Sequence, residues 1–325
     1  MASQGTERQR ITEPLPLALE DQQCCLCKSA DAERIGAGED FEYRTSNDRF
    51  EVLRCKRCEL VYLKQRPALS ELDRIYPSTY HAYQFNEAEF GFVHKVRRRL
   101  EARRLLAFCK ELSPSARILD VGCGDGFHLS LIRDFGRPGW SLEGIDASQR
   151  AVEAAASAGL TVHPGTVEDA NLATDSYDLA LLIATIEHVA QPVAVLRAVS
   201  ALLKPGGRAV IVTDNTGTLD FRLTHKRVWG GYHFPRHWNL FNRKSLELLA
   251  KAAGMEVIAI ESVVSPVNWV YSIRNWLVDS RYPEWMVEQF SLKAPISLGV
   301  FTLFDLFFHI FGRGSLLRMT VRRVL

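Results

Sequence analysis

The chain has 325 residues, 47% of them hydrophobic, and balances 40 basic against 38 acidic side chains for a formal charge of +2. It is longer than one typical domain and apolar enough for a sizeable core, while near-neutrality argues against a protein that lives on nucleic acid as a whole. No uninterrupted apolar run reaches ~18 residues and no N-terminal signal region is visible, so the expectation is a cytoplasmic chain without a transmembrane helix.

Residues 1–23 are polar, contain two prolines and read as a flexible lead-in. Residues 24–66 carry two C-x-x-C pairs, Cys24 with Cys27 and Cys55 with Cys58. Each pair lets two thiolates take adjacent corners of a tetrahedron, and two pairs close it around zinc. Four protein ligands leave no open position for chemistry, so the predicted metal is structural, and a segment this small could hardly fold without it. Cys25 is left as a spare.

Residues 67–112 are read as a linker and N-terminal helices. The aromatic stretch 76–83 is either a lid or a packed linker. Residues 92–112 form one long helix, with Val96, Leu100, Leu105 and Phe108 near helical spacing among Lys95, Arg97, Arg98, Arg99, Arg103 and Arg104. Its basic face either meets phosphates or a membrane surface, or is simply solvated.

Residues 113–264 alternate strand and helix patterns, which implies a parallel sheet with crossover helices on both faces. An apolar strand at 118–121 delivers Gly122, Gly124 and Gly126, and a helix follows at 127–135. Strand, glycine turn and helix N-terminus present free N–H groups to a bound nucleotide or carboxylate. Asp120 and Asp125 flank the glycines, so a ligand with a cationic centre and an amino group suits this loop better than a pyrophosphate. A second strand ends at Asp146, 20 residues beyond Gly126, and a third at 160–163. The fourth, from Tyr177, runs into Ala184 and the pair Glu187 and His188. Ligands bind at the carboxyl ends of strands in such sheets, which gathers Gly122 to Gly126, Asp146 and 184–188 around one cleft. Histidine is the side chain best matched to removing a proton near neutral pH, so His188, with Glu187, is the candidate catalytic group. Residues 229–241, dense in aromatics and polar donors, are read as the wall of an acceptor pocket. Tyr232, His233, Arg236 and His237 are the predicted substrate residues, Arg236 for an anionic group.

Residues 265–314 form a hydrophobic helical insertion before a final antiparallel strand in 315–325. As a helix, 296–311 carries Thr302, Asp305 and His309 on one polar stripe and phenylalanines over most of the rest. Two expectations stand for it: peripheral contact with the inner face of a membrane or a lipid-like acceptor, or packing against the sheet or a second subunit as a homodimer.

These motifs, in this order, resemble the class I S-adenosylmethionine-dependent methyltransferases. The cysteine module, with Arg54 to Tyr62, Pro67 and the Leu72, Ile75, Tyr76 run, resembles the zinc-ribbon-like heads that precede many of them. The resemblance implies an α/β fold, a Rossmann-like doubly wound and mostly parallel seven-stranded sheet. It implies S-adenosylmethionine as cofactor, held by Asp120, Gly122, Cys123, Gly124 and Gly126. Asp146 and Ala147 would meet the ribose, Val167 and Glu168 the adenine side, and Ala184 the edge of the methyl-transfer site. Related quinone-pathway O-methyltransferases have an acid upstream of a Glu-His pair and are thought to bind a divalent metal. Ala184 stands in that acid's place, so no catalytic metal is expected. The implied reaction is methylation of a small-molecule or lipid-linked acceptor, most readily at a hydroxyl. The alternatives are an RNA methyltransferase gripping phosphates with the zinc module and basic helix, and a non-catalytic cofactor-binding protein.

Overall fold

The structure, a computed structural model, describes residues 15–77, 80 and 87–324, the side chains of 87–97 excepted. Most of the 76–83 stretch, together with Lys95 and Arg97, therefore lies outside the described residues.

The N-terminal part contains β1 (Leu19–Asp21), β2 (Ala32–Gly38), β3 (Phe50–Cys55), β4 (Val61–Leu63), β5 (Gln65–Pro67) and the single turn α1 (Leu72–Ile75). The lead-in is thus not loose throughout: β1 pairs antiparallel with β5, and Leu17 is buried. Burying one leucine side chain and pairing three residues suffices to hold this stretch down.

The central part follows as α2 (Glu87–Phe108), β6 (Arg117–Val121), α3 (Phe127–Phe135), β7 (Ser141–Asp146), α4 (Gln149–Ser157), β8 (Thr161–Pro164), β9 (Tyr177–Ile183), α5 (Pro192–Leu202) and β10 (Leu203–Asp214). Next come α6 (Leu219–Thr224), β11 (Asn239–Leu240), α7 (Arg243–Ala252) and β12 (Met255–Val263). The chain closes with α8 (Val267–Asp279), α9 (Glu284–Glu288), α10 (Pro295–Ile310) and β13 (Leu316–Arg323). Seven strands form the main sheet in the order β12-β13-β10-β9-β6-β7-β8. All its pairings are parallel except the two that β13 makes, with β10 and with β12.

Period-two alternation divides the inner strands between two cores. Ile118, Leu179, Leu181, Val210 and Val212 pack with Leu105 of α2 and Leu131 and Ile132 of α3. Leu119, Val121, Ala180, Leu182 and Ile211 pack with Val195 and Val199 of α5 and Leu246 and Leu249 of α7. The glycine loop between β6 and α3 therefore projects from the middle of a rigid slab.

The cysteine module is not a separate bead. Its sheet, β2-β3-β4, is completed by β11 from the far side of the catalytic part, with Tyr62 opposite Asn239. A third core joins Phe50, Val52, Val61 and Leu63 of the module to Phe221, Trp229, Tyr232, Phe234, Trp238 and Leu240.

Candidate functional site

The glycine loop is shaped by what surrounds it. Gly122 has φ +71°, and a Cβ there would lie 2.6 Å from the Thr185 side chain. Gly124, at φ +55°, faces open space instead. Asp146 at the end of β7 accepts from the backbone N–H of Gly124 and of Ser148, both at 2.8 Å. Burial raises its carboxyl above the usual range. Asp120 is 1% exposed, and among the described residues its Oδ2 has no hydrogen-bond partner. Burial, and then the charge of Asp146, pushes its carboxyl up to about 8. This buried carboxylate, whose Oδ2 has His128 Nδ1 at 3.8 Å and no hydrogen bond among the described residues, lies beside an open glycine loop and fits a ligand that brings an ammonium or sulfonium charge. Cys123 is buried against Gly144, Val167 is buried, and Ala147, Glu168 and Ala184 are exposed around the same strand ends.

One consequence is measurable. Asp120 holds its proton at pH 7 without ligand, and a cation bound beside it lowers its pKa and expels that proton. Binding of a ligand's ammonium group here should release up to one proton. Calorimetry in two buffers of different ionisation enthalpy will show this as a buffer-dependent binding enthalpy; identical enthalpies would remove Asp120 from the ligand.

Three histidines gather past the end of β9. His188 and His237 lie edge to face with ring centroids 4.5 Å apart, and His233 is 5.0 Å from His237. Each is fixed through Nδ1. His188 Nδ1 is 3.1 Å from the Arg236 carbonyl oxygen and 2.9 Å from the Tyr76 hydroxyl. His237 Nδ1 is 2.8 Å from the Gly231 carbonyl oxygen and 3.2 Å from Asp214 Oδ2. His233 Nδ1 is 2.7 Å from Glu42 Oε1. Burial, then the charges of His237 and His233, hold His188 well below its ordinary value. Burial alone would lower His237 too, but Asp214 outweighs it and raises the imidazole.

Glu187 lies beneath this cluster, fully buried. Its Oε2 accepts from Thr213 Oγ1 at 2.8 Å, and its carbonyl oxygen accepts from the Trp238 and Asn239 N–H groups. Burial pushes its carboxyl up to about 7. Glu187, His188 and His237 offer ligand atoms within 4.8 Å of one another, a set able to hold a metal ion. The expectation of no metal here rested on Ala184; what the fold adds to the Glu187 and His188 pair is His237.

At the other end of the module Cys24, Cys27, Cys55 and Cys58 converge. Cys24 and Cys58 Sγ are 3.3 Å apart, Cys27 and Cys55 3.5 Å, and Cys27 and Cys24 3.6 Å. Zn–S bonds of ~2.3 Å in a tetrahedron require sulfurs ~3.8 Å apart, so the residues fit the metal. Cys25 turns away and donates to Asn239 Oδ1 at 3.1 Å.

A family model described as "Methyltransferase domain" matches residues 92–260, more than half of the chain. The chain belongs to the class I S-adenosylmethionine-dependent methyltransferases. Ubiquinone biosynthesis O-methyltransferase of Cereibacter sphaeroides (strain ATCC 17025 / ATH 2.4.3) is 32% identical over 171 residues, covering 49% of this methyltransferase and 68% of that protein. The enzyme of that name from Bordetella avium (strain 197N) is 29% identical over 219 residues, or 60% and 86% of the two chains. Phosphoethanolamine N-methyltransferase 2 of Haemonchus contortus, solved with S-adenosyl-L-methionine, superposes with a TM-score of 0.51 over 90% of this chain and 69% of its own, at 17% identity. That likeness is one of fold.

In this methyltransferase two of the predicted substrate residues are something else. Arg236 is 0% exposed, and its guanidinium is committed to Asp40 at 3.1 and 3.3 Å, the Ile75 carbonyl at 2.6 Å and the Phe234 carbonyl at 2.8 Å. Four of its five N–H donors are used and the group is sealed from solvent, so it is not presented to an acceptor's anion. Tyr232 is buried in the shared core and donates its hydroxyl to the His225 carbonyl at 2.6 Å. The aromatic density of 229–241 serves to seat the cysteine module, because β3 and β4 need an apolar cover on that side. His233 and His237 do reach the cluster around His188. Residues that sequence reasoning missed are Glu42, Tyr76 and Asp214, each an acid or hydroxyl behind a histidine. No periodicity marks them, since their partners lie in other segments.

Proposed function

We propose that this methyltransferase transfers the methyl group to a hydroxyl of a small-molecule or lipid-linked acceptor, with His188 as the base. The observation that carries the reading is the environment of His188. The Arg236 carbonyl and the Tyr76 hydroxyl both lie at Nδ1; with that nitrogen as donor both contacts are hydrogen bonds, and the Nε2 lone pair is left for an acceptor proton. Its low pKa keeps the ring neutral at pH 7, in the state a base requires. The names of the relatives, O-methyltransferases of ubiquinone biosynthesis, agree with a hydroxyl acceptor of this kind.

S-adenosylmethionine supplies an electrophilic methyl on a sulfonium. Asp120 and the Gly122 to Gly126 loop would hold its amino-acid end, Asp146 with Ala147 the ribose, and Val167 and Glu168 the adenine side. Ala184, exposed and at φ +52°, would stand at the edge of the methyl-transfer site. His188 takes the hydroxyl proton as the oxygen attacks, and alignment in the cleft contributes the rest. Cys24, Cys27, Cys55 and Cys58 would hold zinc, with a structural role.

The α10 helix gives the lipid-linked reading its second support. Asp305 is buried, accepting from the N–H of Ser265 and Ser315, and His309 bonds Ser262, so the polar stripe faces inward. Phe301, Phe304 and Phe308 pack on Trp269 of α8, while Ile296, Val300, Leu303, Phe307 and Ile310 are exposed, Leu303 by 70% and Ile310 by 73%. No helix among the described residues is long and apolar enough to cross a membrane. An exposed apolar face of this size suits lying in a membrane interface.

The test is to incubate the protein with methyl-labelled S-adenosylmethionine and a total lipid extract, in the presence of sedimentable vesicles. Label should enter the organic phase, protein should sediment with the vesicles, and His188→Ala should slow transfer by roughly 10²–10⁴-fold. A wild-type rate in that variant would overturn the base assignment. Label confined to water would reassign the acceptor to a soluble molecule and α10 to contact between subunits.

A further inference from the structure

We infer that Asp40, in the cysteine module, is a positioning residue for methyl transfer: through Arg236 it fixes which nitrogen of His188 carries the hydrogen. The inference rests on the reading of His188 as base. Among the described residues two groups face His188 Nδ1, and they differ in kind. The Arg236 carbonyl, at 3.1 Å, can only accept. The Tyr76 hydroxyl, at 2.9 Å, can accept or donate. The carbonyl is hydrogen-bonded only when Nδ1 carries the hydrogen, which favours that tautomer and leaves Tyr76 accepting from the ring. Withdraw the carbonyl and the Tyr76 O–H can donate to Nδ1 instead; the hydrogen then sits on Nε2, and the lone pair that would take the acceptor's proton is gone.

What keeps the carbonyl there is the Arg236 side chain. The segment carrying it turns sharply, with His233 at φ +39° and the Arg236 N–H bonded to the His233 carbonyl at 2.9 Å. Its anchor is the guanidinium, which reaches Asp40 with two nitrogens, the Ile75 carbonyl with Nε, and lies 4.4 Å from the centre of the Tyr43 ring. Both members of the ion pair are without solvent exposure. Burial alone would raise the Asp40 carboxyl, but Arg236 outweighs it and holds it below the usual range, so the pair is ionised. A buried bidentate pair defines an orientation that a single neutral hydrogen bond does not. The module therefore reaches the chemistry in two steps, side chain to side chain and then backbone to ring.

The test uses the full-length protein with ¹⁵N-labelled histidine, assigned with His188→Gln. In the wild type the His188 Nδ1 shift should report a protonated nitrogen and Nε2 an unprotonated one. Asp40→Asn should move both toward a mixture or the opposite tautomer, lower methyl transfer at least tenfold, and leave S-adenosylhomocysteine affinity within twofold. Because Asp40→Asn leaves the Arg236 charge buried and unpaired and could prevent folding, the double variant Asp40→Asn, Arg236→Gln is made beside it, with the same expected shift. An unchanged His188 tautomer in a folded variant overturns the inference, whatever happens to activity. A changed tautomer with unaltered transfer upholds the positioning by Asp40 and removes His188 as base, so the two readings fail separately.

Discussion

A Cys55→Ser protein is expected to lose its N-terminal module and the order of its histidine cluster while still binding S-adenosylhomocysteine. The four sulfurs are packed too closely to coexist as thiolates without a cation. Hydrogen bonding from Cys58 lowers Cys24 to about 5, while Cys58 is raised, by the Cys24 thiolate and then by burial. Burial also raises Cys27. A Cys24 thiolate held by hydrogen bonds from its neighbours is the arrangement these shifts describe, and a zinc ion would hold all four sulfurs ionised. Structural zinc contributes ~10–16 kcal/mol in small peptides, as much as the whole stability of an ordinary domain. With it gone, β11 loses its partner strand and Trp229, Phe234 and Trp238 lose their cover. Arg236 would lose Asp40, and an uncompensated buried charge costs about 3–5 kcal/mol. The glycine loop and Asp146 sit on β6 and β7, which pair only within the main sheet. The checks are metal analysis of the wild type, expected at one zinc per chain, and near-ultraviolet dichroism of the variant, expected to lose the part of the tryptophan signal that Trp229 and Trp238 contribute. A metal-free wild type with that signal intact would sink the site.

Asp146→Ala should weaken S-adenosylhomocysteine binding by about 100-fold or more. Hydrogen bonds to a charged group contribute about 1.5–3 kcal/mol each, and two ribose hydroxyls at the lower figure already give that factor. The carboxylate has a further duty, since it accepts from Gly124 and from Ser148 at the start of α4. Its loss frees the loop as well as the sugar. Calorimetry reads the result directly, and an unaltered dissociation constant would take the ribose role away from Asp146.

The parts legible in the sequence were those written in local code. The apolar runs of β6, β9 and β10, the three glycines, the acid closing β7 and the two C-x-x-C pairs each state their structure within a few residues. What was illegible depends on meetings between distant segments. Arg236 looked available because its partner Asp40 lies 196 positions away. Residues 229–241 looked like a pocket because aromatic rings beside polar donors suit a ligand and a buried interface equally well. Only the pairing of β4 with β11, which puts Tyr62 opposite Asn239, decides for the interface. His237 entered the cluster near Glu187 by the same route, and no spacing rule could have announced it. The insertion was read correctly as helical, with Asp305 and His309 on one stripe; that the stripe turns inward follows from Ser262, Ser265 and Ser315, which stand ready as partners around it.

The shared sheet has a consequence for the order in which the protein is made. The module emerges from the ribosome before the catalytic part, yet Asn239 of the strand that completes its sheet is translated 177 residues after its partner Tyr62, and the arginine that neutralises Asp40 196 residues after that acid. At ~5–20 residues per second, that is roughly 10–40 s during which the newborn β4 edge is bare and a carboxylate awaits its counter-ion. Early capture of a metal ion by the four cysteines would hold the nascent module in register through this interval, so cellular zinc supply should govern the yield of native enzyme during synthesis more than its persistence afterwards.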